Sequence, residues 1–118
     1  MNKTLKDMLI GVLLGDAHIR RTGLNKAFIS FEQSSKKLDY IQYLQGLSQE
    51  EGLSLMDNNL KEYLRSDQRY NTLNRSLYFR TQSLEELKPL ADLFLNQEGK
   101  KKIPNNISDH LTPRSLAF

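Results

Sequence analysis

The sequence has no cysteine and no long apolar segment. Without cysteine, neither a disulfide framework nor a metal site made of thiolates can form. The longest apolar stretch, residues 8–14, is too short to cross a bilayer. The N-terminus lacks both the apolar core of a secretory signal and the arginine-rich composition of a transit peptide. These absences favour a protein that works in the compartment where it is made.

The composition is that of a single globular domain. Of the 118 residues, 38% are apolar and 26% are charged, which argues against wholesale disorder. This length suits one hydrophobic core rather than two. The 17 basic and 14 acidic side chains give a net charge of +3. Such an excess permits binding to a polyanion, but it also serves solubility, so it does not indicate nucleic acid by itself.

The first third of the chain predicts a helix followed by a β-hairpin. Apolar residues recur at helical spacing over residues 4–15, which predicts an amphipathic helix. Residues 18–22 and 27–33 are rich in strand formers and flank a turn signal at residues 23–25. These segments predict two antiparallel strands.

The middle of the chain predicts a second helix and a second hairpin. Ser34 or Ser35 can cap the helix, and Gly52 suits its C-terminal end. Residues 54–64 and 73–81 then predict two further strands joined by a polar loop.

A third helix and a tail complete the pattern. Ser83 and Glu86 have the spacing of a capping box for a helix that ends before Gly99. Thr112 and Pro113 predict the start of one more helix, because threonine is a favoured N-cap and proline a favoured first helical residue. The order α-β-β-α-β-β-α predicts an α+β fold with a four-stranded antiparallel sheet, helices on one face and the other face open.

Four stretches resemble the LAGLIDADG homing endonuclease family. Residues 10–19, IGVLLGDAHI, are similar to the family's motif in its GLLLGDAxI form. Residues 31–33 (FEQ), 101–106 (KKIPNN) and 111–118 (LTPRSLAF) also match in order, the last resembling the opening of a second motif, LTPxSLAxWxMDDG. The resemblance covers essentially the whole chain and points to members from organelle introns.

The resemblance implies the N-terminal half of a two-motif member. Residues 1–99 would form the half-domain, and residues 100–118 a basic linker and the start of a second motif helix. The aspartate pair of that second motif is absent from this sequence. The partner would be an identical chain, a separately made C-terminal half, or the rest of a longer protein from which this chain is a fragment.

The resemblance assigns the first helix to the seam between two halves, at Gly11, Leu14 and Gly15. Small residues there let two helices approach closely, although glycine costs about 1 kcal/mol in a helix interior. The alternative is that Gly15 only caps the helix and Gly11 is incidental.

The resemblance also assigns the cleavage chemistry. Asp16 would bind Mg²⁺, which prefers oxygen ligands and keeps several waters. Lys101 would be a basic catalytic residue near the scissile phosphate, and its neighbours Lys100 and Lys102 would bind the nucleic acid. Without the resemblance, Asp16 is a polar loop residue and the lysine run a solvated basic segment.

Alternation along the strands predicts a nucleic-acid-binding face. Arginine, lysine, glutamine and tyrosine on one side of a curved sheet can read base edges and hold phosphates. The alternative is an ordinary solvated side of an antiparallel sheet. The predicted residues on this face are His18, Arg20, Thr22, Ser30, Glu32, Lys61, Tyr63, Arg65, Tyr78, Arg80 and Gln82.

Two functions therefore compete at this level. One is a DNA endonuclease half that cuts with Mg²⁺ once it is paired. The other is a non-cleaving member of the same family that binds structured RNA, as an intron maturase or a ribosome-associated protein does. The habit of the family places either in an organelle, the mitochondrion in particular.

Overall fold

The predicted order of elements is confirmed in a computed structural model, which describes residues 3–57, 59–67, 72–116 and 118. None of the helices in these ranges is long and apolar enough to span a membrane. The main helices and strands are α1 Lys3–Leu14, β1 His18–Thr22, β2 Lys26–Ser34, α2 Leu38–Glu50, β3 Lys61–Asp67, β4 Thr72–Arg80, α3 Lys88–Phe94 and α4 Pro113–Leu116.

The strands form one antiparallel sheet of four in the order β1-β2-β4-β3, as the α+β prediction requires. One face of the sheet packs on the helices, and its central contact is the stacked pair of Phe31 and Phe79, with ring centroids 4.4 Å apart. Ile19 and Ile29 are buried on the same face. We call the opposite side the open face, because no helix covers it in the described part of the chain.

The first helix lies at the centre of the core. Every residue of α1 from Leu5 to Leu13 except Lys6 is buried, in one core cluster with the sheet residues and against α4. Thr112 begins α4 as predicted, since its hydroxyl oxygen accepts a hydrogen bond from the Ser115 amide at 3.1 Å. The short C-terminal helix is therefore stabilised by a cap and by packing on α1.

Gly11 is required at the crossing of α1 and α4. A Cβ at this position would overlap the backbone carbonyl oxygen of Ser115 and lie 2.9 Å from the Cβ of Phe118. The close approach of two backbones thus explains the glycine. The helix that approaches is the chain's own α4, so the seam with a second half at Gly11, Leu14 and Gly15 stays a prediction.

The predicted start of β3 was wrong. Leu55 makes an isolated bridge with Thr81, but the regular strand begins only at Lys61. Before the strand, the Asp57 carboxylate accepts a hydrogen bond from the Asn59 amide at 3.0 Å, a contact typical of a turn. Aspartate and asparagine favour such turns over strands, and this preference accounts for the later start of β3.

The predicted capping box of the third helix was also wrong. Leu84 exchanges two backbone hydrogen bonds with Ala27, which holds residue 84 extended and leaves no side-chain cap from Ser83. The chain then passes through a 3₁₀ turn before α3, which has Pro89 in its first turn. Ser34 caps only the 3₁₀ turn at residues 35–37, because its hydroxyl accepts the Lys36 amide at 3.3 Å; α2 itself, which follows, has no side-chain cap.

Candidate metal site and nucleic-acid interface

The turn after α1 presents Asp16 to solvent. The amides of Gly15 and Ala17 both donate to the Val12 carbonyl at 3.1 Å, which closes the helix in a tight turn. Ala17 is buried, whereas Gly15 and Asp16 are exposed. The turn is thus anchored on one side of Asp16 and open at the carboxylate. Gly15 lacks the positive φ of a glycine cap, so the helix does not end in that way.

Gln33 is the hydrogen-bond partner of Asp16. Its Nε2 donates to Oδ2 of the carboxylate at 3.1 Å from the end of β2. The two residues line an open cavity of about 360 Å³ whose apolar wall includes Phe31, Leu44 and Phe118. Phe31 and Leu44 are buried in the core, so Phe118 is the half-buried member of this apolar wall.

Lys101 reaches the same turn from the other side. Its Nζ donates to the carbonyl oxygens of Gly15 at 2.9 Å and Ala17 at 3.0 Å, one on each side of Asp16. Burial of the ammonium group against the turn lowers the pKa of Lys101, and the negative charge of Asp16 acts in the opposite direction. Asp16 and Lys101, separated by 85 positions in the sequence, thus lie at one place.

The local backbone decides which lysine of the run reaches the turn. Lys101 pairs with Leu95 in an isolated bridge, and the Lys102 amide donates to the Phe94 carbonyl at 2.8 Å. Lys100 and Lys102 are exposed, and the Lys100 ammonium lies 4.0 Å from the Glu98 carboxylate. Both remain candidates for contact with phosphates, at the rim of the site.

A network around Asn96 fixes the turn that carries Lys101. The Asn96 side chain accepts hydrogen bonds from the amides of Glu98 and Lys100, both at 2.9 Å. Gly99 adopts a φ of 81°, which side-chain-bearing residues rarely tolerate. Arg21 donates to the Asn96 carbonyl at 2.9 Å and so ties this turn to β1. Sequence reasoning missed both Arg21 and Asn96, whose roles depend on tertiary contacts.

The open face carries a first row of predicted residues across three strands. His18, Ser30 and Arg80 are direct neighbours in the sheet, and Arg20 follows on β1. The Arg80 guanidinium lies over the Phe28 ring, 3.9 Å from its centroid. Stacking on the aromatic ring and a hydrogen bond from Arg80 Nε to the Thr81 carbonyl at 3.4 Å hold this long cation in place on the open face. Phe28 was missed, although the same alternation that selected Ser30 places it on this face.

A second row lies on β2, β4 and β3. Glu32, Tyr78 and Lys61 are direct neighbours, and Tyr63 pairs with Ser76 one step along. Lys61 and Tyr63 are exposed, whereas Glu32 and Tyr78 are half-buried. The predicted residues thus form two adjoining rows rather than scattered positions.

Three predicted members of the face stand apart. The Gln82 amide donates to the Leu55 carbonyl at 3.4 Å and so supports the loop before β3. The Thr22 hydroxyl oxygen is buried and finds no partner among the described residues, so it does not face a ligand. The side chain of Arg65 lies outside the described part of the structure, and its contribution stays a prediction.

The side chains around Asp16 can supply part of the coordination of a hard cation, but not a complete metal site. Within the described ranges no three histidine or acidic side chains are grouped so that they could hold a metal. The carbonyls of Gly15 and Ala17 already accept from Lys101. Asp16 thus offers an exposed carboxylate, and Glu32 lines an adjoining cavity with it. Cations such as Mg²⁺ are often held by one or two carboxylates with waters and phosphates, so this donor set fits half of such a site.

The fold and the site together define an α+β module with an acidic helix end beside a basic sheet. The model of the LAGLIDADG DNA endonuclease family matches residues 6–118, so the chain belongs to that family. Members of the family generally use a divalent metal ion. A comparison with curated proteins found no match.

A solved structure shares this fold. The chain superposes on the homing endonuclease I-WcaI, bound to its DNA recognition sequence, with a TM-score of 0.81 and 24% sequence identity. The match covers 98% of this chain and 49% of that protein. The chain therefore spans about half the length of the solved relative.

Proposed function

We propose that this chain is one half of a site-specific DNA endonuclease that requires Mg²⁺. The observation that carries the proposal is the position of Asp16 at the end of α1, between Gln33 and the Lys101 ammonium. This position adjoins the open face, because Asp16 lines a cavity with His18 and Glu32. An acidic ligand beside a surface suited to phosphates is what metal-assisted phosphodiester cleavage needs.

The residues around Asp16 have distinct roles in this proposal. Asp16 would contribute one carboxylate oxygen to a Mg²⁺ ion that also binds DNA phosphates and waters. When bound, the ion supplies an activated water and stabilises the leaving oxygen. Gln33 orients the carboxylate through its 3.1 Å hydrogen bond. Lys37, which lines the same cavity and was not predicted, adds positive charge for a phosphate.

The open face would bind the DNA duplex. Arg20 and Lys61 are exposed there and can hold phosphates, which set the position of a protein on DNA. Arg80 can present its guanidinium edge to a guanine, since a bidentate contact of this kind is common in the major groove. Stacking on Phe28 keeps that edge oriented before DNA arrives.

Pairing with a second half would occur along α1 and α4. A symmetric pair that brings two copies of α1 together at Gly11 has to displace α4, because α4 already lies against that glycine. We therefore favour a second half that extends the surface formed by α1 and α4. The half-buried Phe118 and the exposed Tyr43, whose rings are stacked, form the apolar surface on which it would pack.

RNA binding without cleavage is the second candidate. It is favoured by the donor set, since the described residues around Asp16 do not amount to a complete metal site. The open face could hold the phosphates of a structured RNA without any metal. The two candidates differ in what they expect from added Mg²⁺.

The test combines binding and cleavage. The purified chain, alone and with a chain that carries the second motif, is titrated with labelled duplex DNA from an intron-free target locus and with structured RNA. We expect preference for the duplex and strand cleavage that requires Mg²⁺ and stops with EDTA. Preference for RNA by more than about tenfold, with no cutting in any combination, would overturn the endonuclease proposal.

A matched pair of variants controls for non-specific charge. Arg20→Gln removes a cation from the open face, and Lys6→Gln removes an exposed one from α1. The salt dependence is the slope of the logarithm of the binding constant against the logarithm of the salt concentration. If Arg20 contacts a phosphate, its loss makes this slope shallower by about 0.9. Lys6→Gln leaves the slope unchanged. Equal effects of the two substitutions would show that binding does not use the open face.

A further inference from the structure

Lys101 acts on the backbone of the turn that carries Asp16. Its ammonium donates to the carbonyls of Gly15 and Ala17, at 2.9 and 3.0 Å. The Gly15 carbonyl directly follows the last residue of α1, where carbonyls lack intrahelical partners and carry the negative end of the helix dipole, and the Ala17 carbonyl directly precedes β1. A cation that binds both carbonyls joins the end of the helix to the start of the strand and so fixes the turn that carries Asp16.

These contacts occupy most of the donor capacity of the lysine. An ammonium group has three hydrogens, and two are directed to the turn. The Asp16 carboxylate instead accepts its hydrogen bond from the Gln33 side chain. The ammonium thus makes its hydrogen bonds to the backbone around Asp16 rather than to the carboxylate, and only one donor is left for a phosphate or a water.

The lysine is itself held before any ligand binds. Its backbone pairs with Leu95, and the next amide donates to the Phe94 carbonyl at 2.8 Å. The preceding turn is fixed by Asn96, whose side chain accepts two backbone amides. Because the backbone of Lys101 and both acceptors of its ammonium are fixed, the side chain loses little conformational entropy when metal and DNA bind.

We propose that Lys101 is a positioning residue, which clamps the Gly15 and Ala17 carbonyls and so sets the direction of the Asp16 carboxylate toward the metal. The inference rests on the proposed endonuclease function for its consequence in catalysis. The clamp itself is a property of the unbound chain and can be tested without cleavage.

The first measurement is amide hydrogen exchange in the absence of metal and DNA. Lys101→Met keeps the apolar stem and removes the ammonium, and Lys100→Met makes the same change one position earlier. We expect the amides of Gly15 and Ala17 to exchange about tenfold faster in Lys101→Met, since hydrogen bonds to charged groups stabilise the closed turn. Lys100→Met leaves them unchanged. Lys101→Arg, which keeps a cationic donor, recovers most of the protection.

The second measurement is the Mg²⁺ dependence of cleavage by the paired protein. Groups that orient a metal ligand typically change metal affinity about 10- to 100-fold, so Lys101→Met raises the half-maximal Mg²⁺ concentration by this factor. The plateau rate at saturating Mg²⁺ changes much less. If Lys101 instead acted on the reacting atoms, Lys101→Met would lower the cleavage rate at saturating Mg²⁺ and leave the half-maximal Mg²⁺ concentration unchanged.

The two measurements separate the possible failures. Unchanged exchange at Gly15 and Ala17 in Lys101→Met overturns the clamp, whether or not the chain cleaves DNA. Faster exchange with no cleavage by the wild-type pair retains the clamp and rejects the endonuclease function. Circular dichroism of the three variants confirms that each is folded before exchange is compared.

Discussion

Replacing Asp16 with asparagine is expected to reduce Mg²⁺-dependent strand cleavage by at least about 100-fold. Asparagine has nearly the same shape and still offers an oxygen to Gln33, so the turn after α1 keeps its geometry. The substitution removes the negative charge that would hold the metal. The measurement is the single-turnover nicking rate of the paired protein at saturating protein and Mg²⁺.

Asp109→Asn is the control for this prediction. Asp109 is also an exposed aspartate, and it lies in the segment between Lys101 and α4. We expect its replacement to leave the nicking rate within about twofold, as for most exposed substitutions remote from a site. In EDTA, both variants should bind DNA at least as tightly as the wild type, because each loses a negative charge that would repel the phosphates. Cleavage by Asp16→Asn at the wild-type rate would exclude Asp16 from the site.

Replacing Gly11 with alanine is expected to lower the free energy of unfolding by about 1–2 kcal/mol. Alanine gains about 1 kcal/mol over glycine in a helix interior. Here the added Cβ overlaps the backbone carbonyl of Ser115, and a backbone atom cannot rotate away as a side chain can. Overpacking of this kind costs about 1–3 kcal/mol or more, so the overlap should outweigh the helical gain. Urea denaturation measures the difference.

Gly46→Ala provides the matched control, with an expected change of opposite sign. Gly46 lies in the exposed middle of α2, and a Cβ there meets nothing within 4 Å. Its replacement should therefore raise stability by about 0.5–1 kcal/mol. If Gly11→Ala were stabilising to the same degree, α4 would not lie against α1 in solution. Gly11→Ala should also weaken pairing with a second half, because it disturbs the docking of α4 on α1.

The fold could be predicted well because local and long-range signals agree. Alternation on residues 27–33 and helical spacing on residues 4–15 each select one face, and the same faces meet in the core. The prediction failed where a tertiary contact changed a local preference. The bridge between Leu84 and Ala27 moved the start of the third helix, and the Asp57 turn shortened β3.

The candidate site was predicted in part, and from the resemblance rather than from the spacing of residues. Nothing local connects Asp16 with Lys101, and the lysine run alone left three positions equivalent. The register at Leu95 selects Lys101, and this register depends on how α3 ends. The docking of α4 on Gly11 was also beyond sequence reasoning, which anticipated a partner helix but not its source.

Coordination of a divalent cation by Asp16 in the DNA complex is the claim on which the proposed function depends. It is tested most directly by adding Mn²⁺ to the isotope-labelled paired protein bound to an uncleavable duplex, and recording which amide signals broaden. We predict that signals of Gly15, Asp16, Ala17 and the Gln33 side chain broaden first, and that Asp16→Asn removes the effect. Selective broadening elsewhere, or the same broadening in Asp16→Asn, would contradict it.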